Sequence, residues 1–148
     1  MIYKKSWKYI LCKDKSTNCK DYCYYRPKAI KDFSNVVKGE IGGYLKCFNN
    51  LSQFGNCWVY DEAIITIRAS VKDNAVIRNN ALICGHAKVS GNAMVSGKAI
   101  VAENASVYDN ARISGEAKVY GYAVVYENAQ VYGDVTVRDM IVNGDRII

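Results

Sequence analysis

Residues 57–146 read CWVYDE AIITIR ASVKDN AVIRNN ALICGH AKVSGN AMVSGK AIVAEN ASVYDN ARISGE AKVYGY AVVYEN AQVYGD VTVRDM IVNGDR, fifteen consecutive hexads without an insertion. The first position is almost always Ala and the third, in all but the last hexad, is Val or Ile, so the two point to one side of a short strand. Positions two and four then face outward. Positions five and six are mostly Gly, Asp, Glu and Asn, residues that tolerate the left-handed backbone region a corner requires. Strand and corner therefore alternate, and three sides close a triangular coil of 18 residues. The pattern predicts an all-β chain, a left-handed parallel β-helix of five coils, about 24 Å long at the ordinary strand spacing.

Stacking every third hexad predicts columns. One corner aligns Asn74, Asn92, Asn110 and Asn128, whose amides can bond from coil to coil. One outer face aligns Ile64, Leu82 and Ile100, with Thr66, Cys84 and Ala102 beside them. A contiguous apolar stripe needs cover, either from the N-terminal segment or from another copy. Ile64, Leu82, Cys84 and Ile100 are accordingly the expected self-association residues of a dimer or trimer. Tyr108, Tyr120, Tyr126 and Tyr132 gather on the outside of the last coils.

Ahead of the hexads the character changes. Residues 1–56 hold 11 Lys or Arg against 4 Asp or Glu (+7), whereas residues 57–148 hold 9 against 10 (−1). This division gives an N-terminal cap (1–56), the β-helix (57–146) and a short C-terminal end (147–148). The cap offers a strand from Trp7 to Cys12, a polar turn from Asp14 to Asn18, an apolar stretch from Tyr22 to Tyr25, the single Pro27, and a Gly-rich turn at Gly39, Gly42 and Gly43. Its basic and aromatic residues Lys4, Lys5, Trp7, Lys8, Tyr24, Tyr25 and Arg26 are the expected partner contacts, with a protein favoured and nucleic acid the other partner such a mixture fits. No run of about 18 apolar residues exists and the N-terminus lacks a secretory pattern, so a cytoplasmic protein without membrane contact is expected. Six cysteines then stay reduced; Cys12, Cys19, Cys23 and Cys47 form no CxxC pair, and neither metal nor cofactor is expected.

The stretch from Tyr24 to Asp61 contains Lys38-Gly39-Glu40-Ile41-Gly42-Gly43-Tyr44-Leu45, then Asn50-Leu51-Ser52, then Gly55-Asn56-Cys57-Trp58-Val59-Tyr60-Asp61. It resembles the lead-in of hexapeptide-repeat proteins common in bacteriophage and prophage genomes, and AKVSGN and AKVYGY resemble their repeats. The resemblance implies the fold, a mobile-element origin and a place in the bacterial host cytoplasm. It implies no activity.

The coils also resemble, more distantly, those of hexapeptide acyltransferases, which implies a histidine general base and acyl-CoA held between subunits. The one histidine here, His86, is the sixth residue of ALICGH, a corner position, and no projecting loop interrupts the hexads. The carbonic anhydrases of the same fold draw three histidine ligands from neighbouring subunits, which one histidine per chain does not readily supply. The expected function is therefore that of a non-catalytic interaction protein that binds, and by analogy with other small phage proteins inhibits, a host complex such as a CRISPR or other defence effector. An acyltransferase using His86 is the alternative, and a polymer-forming structural solenoid the third reading.

Overall fold

A computed structural model describes residues 7–13 and 24–148. The hexads form two-residue and three-residue strands that stack in parallel at an 18-residue offset, as in Val59 opposite Ile77 and Val107 opposite Val125. Backbone bonds run from coil to coil; Ser106 N–H, for example, reaches Ala123 O at 2.9 Å. The inward Ala and Val/Ile columns are completely buried through most of the stack, with Ala105 and Val107 both 0% exposed. An all-β parallel solenoid results, whose six-residue sides and left-handed-region corners fit a left-handed β-helix.

The fifth position of each of the first fourteen hexads has positive φ, from 54° at Asp139 to 74° at Gly133. Asp, Asn and Glu serve there for a second reason. Their side chains accept the backbone N–H at the same corner of the next coil: Asp73 Oδ2 from Gly91 at 2.9 Å, Asn79 Oδ1 from Gly97 at 3.0 Å, Asp109 Oδ2 from Glu127 at 3.1 Å. Ile67 (φ 56°) is the exception, a β-branched residue with no such bond to offer.

Two features extend the sequence reading. Parallel pairing begins at Tyr44–Leu45, ahead of Cys57, because this strand pairs with Ile64–Ile65 and Leu51 bridges Val71. The solenoid therefore has about six turns where the hexads alone give five. The last coil is also one residue short. Ile141 pairs with Val124 and Val142 with Val125, an offset of 17, so the final repeat is MIVNGD and not IVNGDR. The missing residue lies at the Asp139 corner. There Asp139 Oδ1 accepts Tyr122 N–H at 2.8 Å, replacing the backbone carbonyl that serves the other corners.

At the N-terminal end, β1 (Tyr9–Lys13) and β2 (Tyr25–Ala29) form an antiparallel pair, and β2 pairs antiparallel with β3 (Tyr44–Leu45) at Tyr25 and Leu45. The pair thereby extends the edge of the sheet that carries Ile64, Leu82 and Ile100. Alternation along β1 sends Tyr9 inward, completely buried, and Ile10 outward. The polar turn expected at Asp14–Asn18, the residues Lys4 and Lys5, and Cys19 and Cys23 lie outside the described residues.

Candidate interaction surfaces

The cap is built around a buried lysine. Lys8, expected at the contact surface, is 1% exposed. Its Nζ donates to Gly55 O (3.1 Å) and Cys57 O (2.7 Å), lies 3.2 Å from Cys57 Sγ and sits 5.1 Å from the Phe33 ring centroid. Burial lowers the Lys8 pKa and raises that of Cys57. Tyr9 beside it donates to Leu51 O and packs edge-on against Trp58 at 6.1 Å, with Phe33 on the indole at 5.3 Å.

The other expected contact residues lie on the outer side of this cap. Arg26 stacks over Tyr44 at 4.6 Å and donates from Nε to Gly42 O at 2.9 Å. Tyr24 meets Tyr44 edge-on at 6.4 Å, and Lys46 lies over Tyr24 at 5.5 Å. Tyr24, Tyr25 and Arg26 are all half-buried. Arg26 and Tyr24 thus form one layer of stacked cations and rings above the apolar stripe, because the outward residues of β2 and β3 continue its column.

Trp7 belongs to a different surface. It packs on Phe48 at 5.1 Å and lines a groove of about 420 Å³ with Phe48, Leu51, Phe54, Val71 and Lys72. Phe54 is 80% exposed. The groove arises where a 3-10 turn at Phe48–Asn50 replaces a regular corner of the first turn. Phe48 and Phe54 lie outside the sequence-level contact set; the signal that could have found them is a Phe set in the polar turn Ser52-Gln53-Phe54-Gly55-Asn56.

The stripe residues Ile64, Leu82, Cys84 and Ile100 share one outer face and are half-buried by their neighbours. Burial, reinforced by Glu103, raises the Cys84 thiol, which keeps it protonated and unreactive. His86 is exposed at its corner and makes no side-chain hydrogen bond among the described residues. A general base needs an orienting partner, and no described side chain hydrogen-bonds His86. Among the described residues there is also no group of three or more metal-ligating side chains. No helix among them is long and apolar enough to cross a membrane.

The Asn corner forms as expected. Asn74, Asn92, Asn110 and Asn128 pass an amide hydrogen bond along the stack at 3.3 Å per rung, and Asn128 ends it on Asp145 Oδ1 at 3.2 Å. Asp145 reaches that position because the coil above it is one residue short. Tyr108 and Tyr126 stack beside the same corner, centroids 5.2 Å apart and planes at 13°.

These features define a capped hexapeptide-repeat β-solenoid. Residues 87–103 match the family described as YdcK beta-solenoid repeat. The chain is also similar to a protein of Escherichia coli (strain K12) called uncharacterized acetyltransferase YdcK, at 42% identity over 43 residues. That match takes in 29% of this chain and spans 13% of the relative's length.

Proposed function

We propose that this chain is a non-catalytic binding protein that presents its aromatic, basic cap to a protein partner. The observation that carries this reading is the cap itself: stacked Arg26, Tyr44, Tyr24 and Lys46, and a groove with an 80% exposed Phe54 at its rim. Rigid arginine–tyrosine layers and exposed aromatics are the residues that dominate protein interfaces. The apolar stripe of Ile64, Leu82, Cys84 and Ile100 supports self-association as a second contact. The narrower reading, a phage protein acting on a host defence complex in the cytoplasm, rests on the resemblance of the lead-in motif. Affinity capture with Arg26→Glu and Tyr24→Ala variants tests the proposal; partners retained at full yield by both would sink it.

A second reading, acetyl transfer, is favoured by the similarity to the Escherichia coli protein of that name. It requires acyl-CoA binding and loss of turnover in His86→Ala. Calorimetry with acetyl-CoA at millimolar concentration decides it, since absence of heat removes this reading.

A further inference from the structure

We infer that the groove beside the first turn binds an acidic peptide segment of a partner protein, seated by a bulky apolar side chain; this rests on the reading of the cap as a contact surface. The floor of the groove is apolar, made by Leu51 and Val71 with the rings of Trp7 and Phe48, and Phe54 stands at its rim in solvent. A volume of about 420 Å³ accepts one or two large side chains. Lys72 lines the same groove, is exposed, and pairs with no carboxylate among the described residues. The cap as a whole is basic: residues 24–56 carry five Lys or Arg against two carboxylates. An occupant with an apolar anchor and neighbouring Asp or Glu complements both features.

The groove excludes two other modes of recognition. A strand cannot add to its floor, because Ala69 O already accepts Asn50 Nδ2 at 2.8 Å and Val71 O accepts Ser52 N–H at 3.0 Å. The occupant is therefore held by side chains and not by a backbone ladder. A single nucleic-acid strand needs cations repeated along its path as well as stacking rings, and among the described residues Lys72 is the one cation lining the groove.

Selection of a random-peptide phage-display library on the immobilised full chain tests the inference. Enriched sequences should pair Phe, Trp or Leu with adjacent Asp or Glu. A synthetic peptide of that consensus should change the fluorescence of Trp7, bind less tightly as salt rises, and lose about tenfold or more in affinity with Phe54→Ala and with Lys72→Glu. Both side chains point to solvent, so the variants keep the fold. No enrichment, a consensus without acidic residues, or displacement of the peptide by an oligo-dT strand at lower concentration overturns the inference. Peptides that bind Phe54→Ala unchanged but fail on Arg26→Glu remove the groove while leaving the cap reading intact. Peptides indifferent to all three substitutions remove both.

Discussion

The two ends of the solenoid close the same kind of edge by opposite means. At the N-terminal end Tyr9 of the β1–β2 pair and Phe33 pack on Trp58 of the first hexad, and Lys8 reaches beneath to hold the carbonyls of Gly55 and Cys57. At the other end the last coil carries Val137 and Val142 inward but leaves Met140, Ile141 and Ile147 at 44%, 60% and 57% exposure. Residues 146–148 run alongside Gln130–Tyr132 and take their N–H groups. One end is fixed by aromatic packing and buried long-range side-chain bonds, the other by a few backbone bonds and by exposed side-chain bonds such as those of Asp139 and Asp145. In a stack whose units touch only their neighbours, such asymmetry makes opening start at the weaker end.

The largest test of that difference is a pair of truncations. Tyr9→Ala removes a buried ring and leaves Leu51 and Phe48 carbonyls without a donor, a loss expected at about 4 kcal/mol. Val142→Ala deletes two methyl groups from the last layer and should cost about 1.6 kcal/mol. Urea midpoints of the two variants would contradict the asymmetry if they coincided. Hydrogen exchange adds the direction: amides of residues 136–142 should exchange before those of residues 58–65 in the unmodified chain.

A second consequence is a pH response centred on the N-terminal end, to which the raised thiol of Cys84 adds. Burial holds the folded-state pKa of Cys57 above its ordinary 9.0 and that of Tyr9 above 10.0, so both stay protonated in the fold while the unfolded chain releases their protons. Their contribution to stability is complete below pH 9 and is lost as pH rises through those values. Lys8 opposes them. Its folded pKa is lowered from 10.5 by burial, so between the folded value and 10.5 the unfolded chain binds more protons and stability rises with pH. The net expectation is a fall in urea midpoint above pH 9 that steepens in Lys8→Met and flattens in Tyr9→Phe. A Lys8→Met variant with a shallower alkaline fall than the parent would reverse the assigned sign.

The sequence made the middle of the molecule legible and its ends much less so, for physical reasons. Ala at the first position and Val or Ile at the third fix the inward face without reference to anything distant, and the Asn ladder follows from adding three sides. The shortened final coil hides because IVNGDR also resembles a hexad; the clue is that it would turn Asn143 inward, whereas MIVNGD turns Val142 inward and brings Asp145 to the ladder. The first turn hides because Gly43-Tyr44-Leu45-Lys46 lacks the inward Ala, and its next corner is a 3-10 turn. Gly43 takes that position because a Cβ would collide with Ala63 O. Lys8 reads as a surface residue since a buried ammonium depends on carbonyls nearly fifty residues away. The groove was invisible for the same reason: Trp7, Phe54 and Val71 meet through tertiary contact and share no local pattern.

The regular middle is also where the smallest effects belong. Asn92→Ala interrupts the ladder at a central rung, removing bonds to Asn74 and Asn110 that are exposed to solvent, and should cost about 1 kcal/mol. Ile67 gives the opposite sign. It holds a β-branched side chain at φ 56° with 58% exposure, so it bears the left-handed strain without burying much surface in return. Relief of that strain is worth about 1–2 kcal/mol, partly offset by the extra backbone freedom of an unfolded glycine. Ile67→Gly should therefore stabilise the chain by roughly 0.5–1 kcal/mol. The effect should appear as a higher urea midpoint with an unchanged denaturant slope. A lower midpoint would mean that Ile67 has a packing role, such as contact with a second copy, that outweighs its strain.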